Sequence, residues 1–289
     1  MLVSEDLSLV GAEHHRDGAH AAPHLVRVMS TASRRHRLPR LARRASGPVV
    51  FLVMWQLLCS TGIFSATVLV GPLTVLSTAH HLVADGELPS AMVVSLHRVA
   101  VGAAVGIATG TVLGVISGLT KLGEDLVDST MQMLRTVPFV GLVPLLIVWF
   151  GIGETPKYAI IALGSAFPVY LNVFSGIRGV DASLVECTET LGVPRLGIVR
   201  HVVLPAALPN AFVGLRYALG ISWIALIFAE QVNATSGIGY LMNNAEQYDQ
   251  TNVILVCLAV YALLGLLIDL LVRLLERQLL SWRPTFEGR

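Results

Sequence analysis

The sequence predicts an all-α membrane bundle, and three observations carry that prediction: a shortage of charge, a series of long apolar runs, and a lopsided placement of cations. Only 13% of the 289 residues are charged, 54% are hydrophobic, and the mean hydropathy is +0.70. Soluble domains carry about 25% charged residues, so the bilayer is the main solvent here. Only helices or closed barrels satisfy every backbone group in lipid, and long apolar runs without alternation exclude a barrel.

Residues 1–47 are polar and hold eight arginines, from Arg16 to Arg44, and five of the nine histidines. The tail has no apolar stretch of signal-peptide type. His14, His15, His20 and His24 have the chemistry for a metal, but a disordered basic cytoplasmic tail is the favoured reading, and no metal site is expected. Cys59, Cys187 and Cys257 are widely spaced, which argues against a disulfide framework or a zinc site. A net charge of +1 leaves no field to attract nucleic acid.

Six apolar segments follow, at roughly 48–67, 92–118, 134–152, 157–177, 206–229 and 252–275. Each approaches the ~20 residues that cross about 30 Å of hydrocarbon. With the amino terminus in the cytoplasm, seventeen cations fall in internal segments and only Lys157 outside, while Arg98 and Arg216 lie within spans. The excess of cations marks the cytoplasmic side, so both termini are expected there, with 284–289 as a short cytoplasmic tail.

Gly102, Gly106, Gly110, Gly114 and Gly118 recur every fourth residue in the second span. Such a ridge lets another backbone approach closely. The row drifts about 40° per step, which suits a crossed pair, and packing inside one bundle is favoured over a dimer seam. Pro138, Pro144 and Pro168 interrupt the third and fourth spans.

The longest connection between spans, 178–205, is the most informative. Asp181 is placed to cap a short helix ending near Leu191, Gly192 to stop it in a left-handed turn, and Pro194 to start another. Leu184, Leu191, Leu196 and Ile198 offer apolar groups for docking in a groove of a soluble partner. Ser183 and Glu186 also fit a capping box, a purely local role for Glu186.

Glu186, Gly192, Leu204 and Pro205, with Val202 at the usual isoleucine, resemble the "EAA" loop of ATP-binding-cassette importer permeases. Cys187 and Thr188 stand where that family usually has two alanines. The resemblance extends over about 48–283. Leu-Arg-Thr-Val-Pro at 134–138, Pro-Leu-Leu-Ile-Val-Trp-Phe-Gly-Ile-Gly-Glu at 144–154, Gly-Leu-Arg at 214–216, Ala-Glu at 229–230 and Gly237-Ile238-Gly239 look like the importers of aliphatic sulfonates, taurine and nitrate.

This resemblance implies a type I importer architecture, a permease domain at 48–283 in a bacterial inner membrane, and a cytoplasmic coupling helix in which Glu186, Cys187, Thr188, Gly192, Leu204 and Pro205 meet the ATPase. It implies two cytoplasmic ATPase subunits, an extracytoplasmic solute-binding protein and pairing with a second permease copy or a close relative. The chain has no GxxxxGK[ST] phosphate loop and no nucleophile-and-base constellation. It is therefore expected to be non-catalytic and without a cofactor of its own, ATP being bound by the partner.

Arg216 lies eleven residues beyond Pro205, about 16 Å along a helix, near mid-membrane. Its planar fork suits sulfonate or nitrate oxygens, although a structural role, in an internal ion pair or bonded to carbonyls released near a kinked helix, is favoured slightly. Arg98 shares a helix face with Ser95 near the outer end of the second span, where it snorkels or pairs with an acid. Glu230 closes the fifth span, either gating a cavity or pairing with Arg98. These three are the candidate substrate-pathway residues. Nitrate, taurine or a vitamin precursor are alternative cargoes. An ion-coupled secondary transporter is the competing class, disfavoured by six spans and few mid-membrane acids.

Overall fold

The computed structural model describes residues 40–61 and 70–280. Among them there is no strand. The chain divides between Gly47 and Pro48 into two units, and the second contains every helix from α2 onward. The helices are α1 (Arg40–Ser60), α2 (Pro72–Ala84), α3 (Glu87–Leu119), α4 (Lys121–Gly123), α5 (Ser129–Arg135), α6 (Val143–Phe150), α7 (Thr155–Arg178), α8 (Ala182–Thr190), α9 (Arg195–Ile198), α10 (Leu204–Asn233), α11 (Ile238–Gln247) and α12 (Thr251–Leu279).

Four stretches are long and apolar enough to cross a membrane singly: α3, α7, Arg195–Val232 and α12. A fifth is the bent pair Lys121–Arg135 and Phe139–Phe150, and Val49–Ser60 is a shorter apolar helix. The helix that carries the first expected span begins at Arg40, inside the stretch read as disordered tail, and its apolar part at Val49. Its expected end at 62–67 lies outside the described residues, as do the histidines of the tail and Arg283 and Arg289.

The expected third span, 134–152, is not one helix. The helical stretches on either side of Pro138, Lys121–Arg135 and Phe139–Phe150, turn through 89°, because Pro138 takes extended backbone and a single 3₁₀ turn, Phe139–Leu142, leads into α6. Pro144 stands in the first turn of α6, where its missing N–H costs nothing, so it starts a helix rather than kinking one. The segment before it, expected as a loop, is helical from Lys121 to Arg135 and is tied to α7 by the Tyr170 hydroxyl, which donates to Asp128 at 2.9 Å. Two further helices, α2 and α11, occupy segments expected as external loops.

α7 is the central helix, with α3 along one side and α10 along the other. The glycine ridge of α3 faces it throughout: Gly102 abuts Ile161, Gly106 Ser165, Gly110 Ala166, Gly114 Val173 and Gly118 Ile177. Packing inside one bundle is therefore what the ridge does. The numbering rises together on both helices, so they run parallel. Continuous contact along a drifting row requires them to coil about one another rather than cross at one point. On the other side Gly176 meets Asn210, and Gly214 meets Asn172 and the Pro168 carbonyl. One apolar core, including Val99, Ile160, Ile161, Leu226, Ile238 and Val256, fills the end of the bundle where α7 begins. A second, including Val173, Ile177, Ile198 and Val203, fills the end where α7 finishes.

Candidate functional site

The 178–205 segment emerges at the end of α7 as a framed projection. Asp181 accepts from the Ser183 N–H at 2.9 Å and caps α8. These bonds hold its carboxyl below the ordinary carboxylate range. The cap at Asp181 puts Glu186 too far along for a capping box, and its carboxylate has no hydrogen bond or ion pair among the described residues. At the other end Gly192 donates to the Glu189 carbonyl at 2.9 Å and Val193 to that of Thr188 at 3.2 Å. This is a Schellman stop, with Gly192 at φ +75°. No atom lies within 4 Å of where a Cβ would stand on Gly192, so it is the backbone angle that requires glycine there.

Pro194 then caps α9, a π-helical turn at Val199–Val203 follows, and Leu204 and Pro205 open α10. Glu186 and Cys187 are exposed and Thr188 half-buried, its hydroxyl turned back onto the Leu184 and Val185 carbonyls. Leu184, Leu191 and Leu196 are 52%, 74% and 79% exposed, whereas Ile198 is 4% exposed. Ile198 therefore belongs to the core under the loop and is not a docking group, because the turn into α10 rotates it toward Ile177 and Val203.

At the opposite end of the bundle lies a buried charged cluster. The Arg98 guanidinium donates through Nε and Nη2 to both oxygens of Glu154, at 2.6 and 2.7 Å, and through Nη1 to Glu230 at 2.7 Å and the Ser236 carbonyl at 2.6 Å. Its remaining donor reaches the Ser236 hydroxyl at 3.4 Å. Glu230, 1% exposed, also accepts from the Ser95 hydroxyl at 2.8 Å and the Gly239 N–H at 2.7 Å. Lys157 donates to Glu154 at 3.1 Å and to the Gly153 carbonyl at 2.8 Å.

Two cations and two carboxylates cancel, and the buried partners satisfy one another, as charges removed from water must. Burial at this depth also explains two glycines: a Cβ on Gly237 would stand 2.7 Å from Arg98 Nη1, and one on Gly239 would stand 2.6 Å from the Glu230 Cβ. Glu154 lies in the turn before α7, and hydrogen bonding from Arg98 lowers its carboxyl to about 2.

Arg98, Ser95 and Glu230 are thus brought together as one of the two expected alternatives. Glu154, Lys157 and Ser236 were not foreseen. Glu154 ends one of the quoted motifs, but nothing local in the sequence says that it meets a residue 56 positions earlier. Arg216 is apart from them: its Nη2 donates to Glu276 on α12 at 2.6 Å, and its Nε lies 3.4 Å from Asp269 without forming a hydrogen bond. Arg216 is the thirteenth of the 30 residues of α10, near the middle of that helix as the sequence reading places it, while Glu276 stands three residues from the end of α12.

The described residues form a polytopic helical bundle with one framed, exposed loop at the end of α7. The comparisons make the class specific. Residues 110–281 match the family described as binding-protein-dependent transport system inner membrane component. The chain is 44% identical over 241 residues to the putative aliphatic sulfonates transport permease protein SsuC of Bacillus subtilis, covering 83% of this chain and 87% of that one. It is 45% identical to the protein of the same description from Escherichia coli, covering 83% and 91%. The solved MetNI methionine ABC transporter, in an inward-facing conformation, shares the fold at a TM-score of 0.55 and 23% identity, over 64% of this chain and 92% of that chain.

The chain belongs to the binding-protein-dependent transport system inner membrane component family, the permease subunits of ATP-binding-cassette importers.

Proposed function

We propose that this permease imports aliphatic sulfonates across a bacterial inner membrane, both termini in the cytoplasm, driven by two ATPase subunits that dock on the 178–205 loop. The observation that carries the reading is the loop itself. Its capped helix, left-handed glycine and bare Glu186 present Leu184, Leu191 and Leu196 to the aqueous phase, where exposed leucines otherwise serve nothing. The two relatives of 44% and 45% identity support sulfonate as the cargo. The cation asymmetry supports the orientation, and does so without Arg135, which lines a cavity within the bundle.

In this mechanism two permease copies enclose the pathway and an external binding protein delivers the solute. ATP, bound on the ATPase chains alone, closes the ATPase pair and moves the loops. The clamp of Arg98, Glu154 and Glu230 ties α3, α10 and the turn before α7 into one rigid end, so that movement at the loop is transmitted along α7. The test is uptake of a labelled short alkanesulfonate into vesicles holding permease, ATPase and binding protein. The reading requires ATP and the ATPase, and uptake driven by an ion gradient without either contradicts it.

A further inference from the structure

We infer that the cavity at the bent third span is a site for the aliphatic sulfonate itself, with Arg135 taking the sulfonate head and the apolar wall taking the chain; this rests on the sulfonate reading above. The cavity, of about 250 Å³, is walled by Leu134, Phe139, Leu142, Leu163, Phe167 and Leu171, with Ile221 behind them, and Arg135 is its one charged residue. Leu163 to Leu171 are the ninth to seventeenth residues of the 24 in α7, and Ile221 is the eighteenth of the 30 in α10. The cavity therefore lies midway along both spans.

Charge at that depth is costly, about 3 kcal/mol on insertion scales, and is usually relieved by a partner. Arg98, Lys157, Arg216 and Arg273 are each ion-paired. Arg135 has no hydrogen bond or ion pair among the described residues, and it is exposed while lining the cavity. Residues on both sides of the break at Pro138 line the cavity, Val137 and Phe139 among them. Irregular backbone at membrane depth is tolerated where it lines a cavity. One free guanidinium beside an otherwise apolar wall complements a solute with one anionic head and an alkyl tail. The volume falls just below the ~300 Å³ at which drug-sized pockets begin, in keeping with a small solute.

The test uses the full permease–ATPase complex in lipid nanodiscs, with hexanesulfonate, methanesulfonate and hexanol as calorimetric probes. The native complex is expected to bind hexanesulfonate more tightly than either of the others, since both head and chain contribute. Arg135→Gln should weaken hexanesulfonate about tenfold, as loss of a charge-assisted hydrogen bond does, and leave hexanol binding alone, with Arg135→Lys recovering part of the loss. Leu163→Trp, which fills the cavity, should remove the preference for hexanesulfonate over methanesulfonate. Variants that bind all three probes as the native complex does overturn the site. So does a uniform loss in both variants that preserves the order of the probes, the mark of general misfolding. If native vesicles import sulfonate with ATP while either result holds, only the site falls; if they import none, the cargo reading falls with it.

Discussion

Arg98 and Glu230 stand 132 residues apart in the chain and 2.7 Å apart in space, the buried link between the second spanning helix and the far end of α10. Removing one partner of such a pair leaves the other charge uncompensated, at about 3–5 kcal/mol. Glu230→Ala leaves one Nη1 N–H of Arg98, the Ser95 hydroxyl and the Gly239 N–H without their acceptor, with only Glu154 and the Ser236 carbonyl and hydroxyl left to hold the guanidinium. It should lower the melting temperature and folded yield markedly in detergent. Arg98→Ala combined with Glu230→Ala should cost less than the two single changes added. Additive losses, or single variants that melt as the native chain does, contradict the clamp.

Glu154 makes the same cluster sensitive to acid. Its carboxyl falls from an ordinary 4.5 to about 2 because Arg98 donates to both oxygens. A carboxyl depressed on folding adds stability that is fully present above the unfolded value and is lost as pH falls through the folded one. The stability difference between the native chain and Glu154→Gln should therefore be constant above pH 4.5 and shrink between 4.5 and about 2. Glu154 is 46% exposed, so the effect is partly screened. A difference that does not vary with pH removes the pairing from the account.

On the glycine ridge, Gly110→Val would drive a Cβ into the backbone of Ala166, with the carbonyl carbon 3.1 Å away. Backbone cannot rotate aside as a side chain can, so the cost should reach or exceed the ~1–3 kcal/mol typical of overpacking. Gly265, on α12, has nothing within 4 Å of its Cβ position, and Gly265→Ala should be neutral or slightly stabilising. Yield and monodispersity after extraction decide it; equal behaviour of the two variants contradicts the α3–α7 seam.

Much of this architecture is legible in the sequence. The apolar runs give the spans, because lipid permits no other solution for their backbones. Gly192 reveals its turn because a left-handed angle is a local demand that one residue type meets. Three things are not legible. The 89° turn at Pro138 is one, since proline marks a break but not its angle. α2 and α11 are a second, because short helices packed on the bundle lack the long apolar run of a span. The third is the meeting of Arg98 with Glu154 and Glu230, because partners on different helices leave no periodic trace.

Arg216→Gln tests the choice left open for that residue. Its pairing with Glu276 and Asp269, at a side-chain exposure of 38%, predicts a loss of about 1 kcal/mol or less in stability. Sulfonate uptake per folded molecule should be unchanged. Thermal unfolding beside Glu276→Gln and the double variant should show that the two losses share one interaction. A selective loss of uptake at native stability would return Arg216 to the substrate pathway.

The coupling loop is tested most directly by co-purification of the ATPase with Gly192→Val and with Glu186→Lys, beside the tail control His20→Ala. Valine at φ +75° costs about 1–2 kcal/mol or more and misdirects α9, while lysine reverses one of the two exposed carboxylates of α8, Glu186 and Glu189. Both variants should insert into the membrane normally, since neither change touches a spanning helix. Both should lose most of the bound ATPase and most of the ATP-driven uptake, and the control should keep them. If both retain full ATPase binding and full uptake, the 178–205 segment is a plain connector between α7 and α10, and the coupling assignment is wrong.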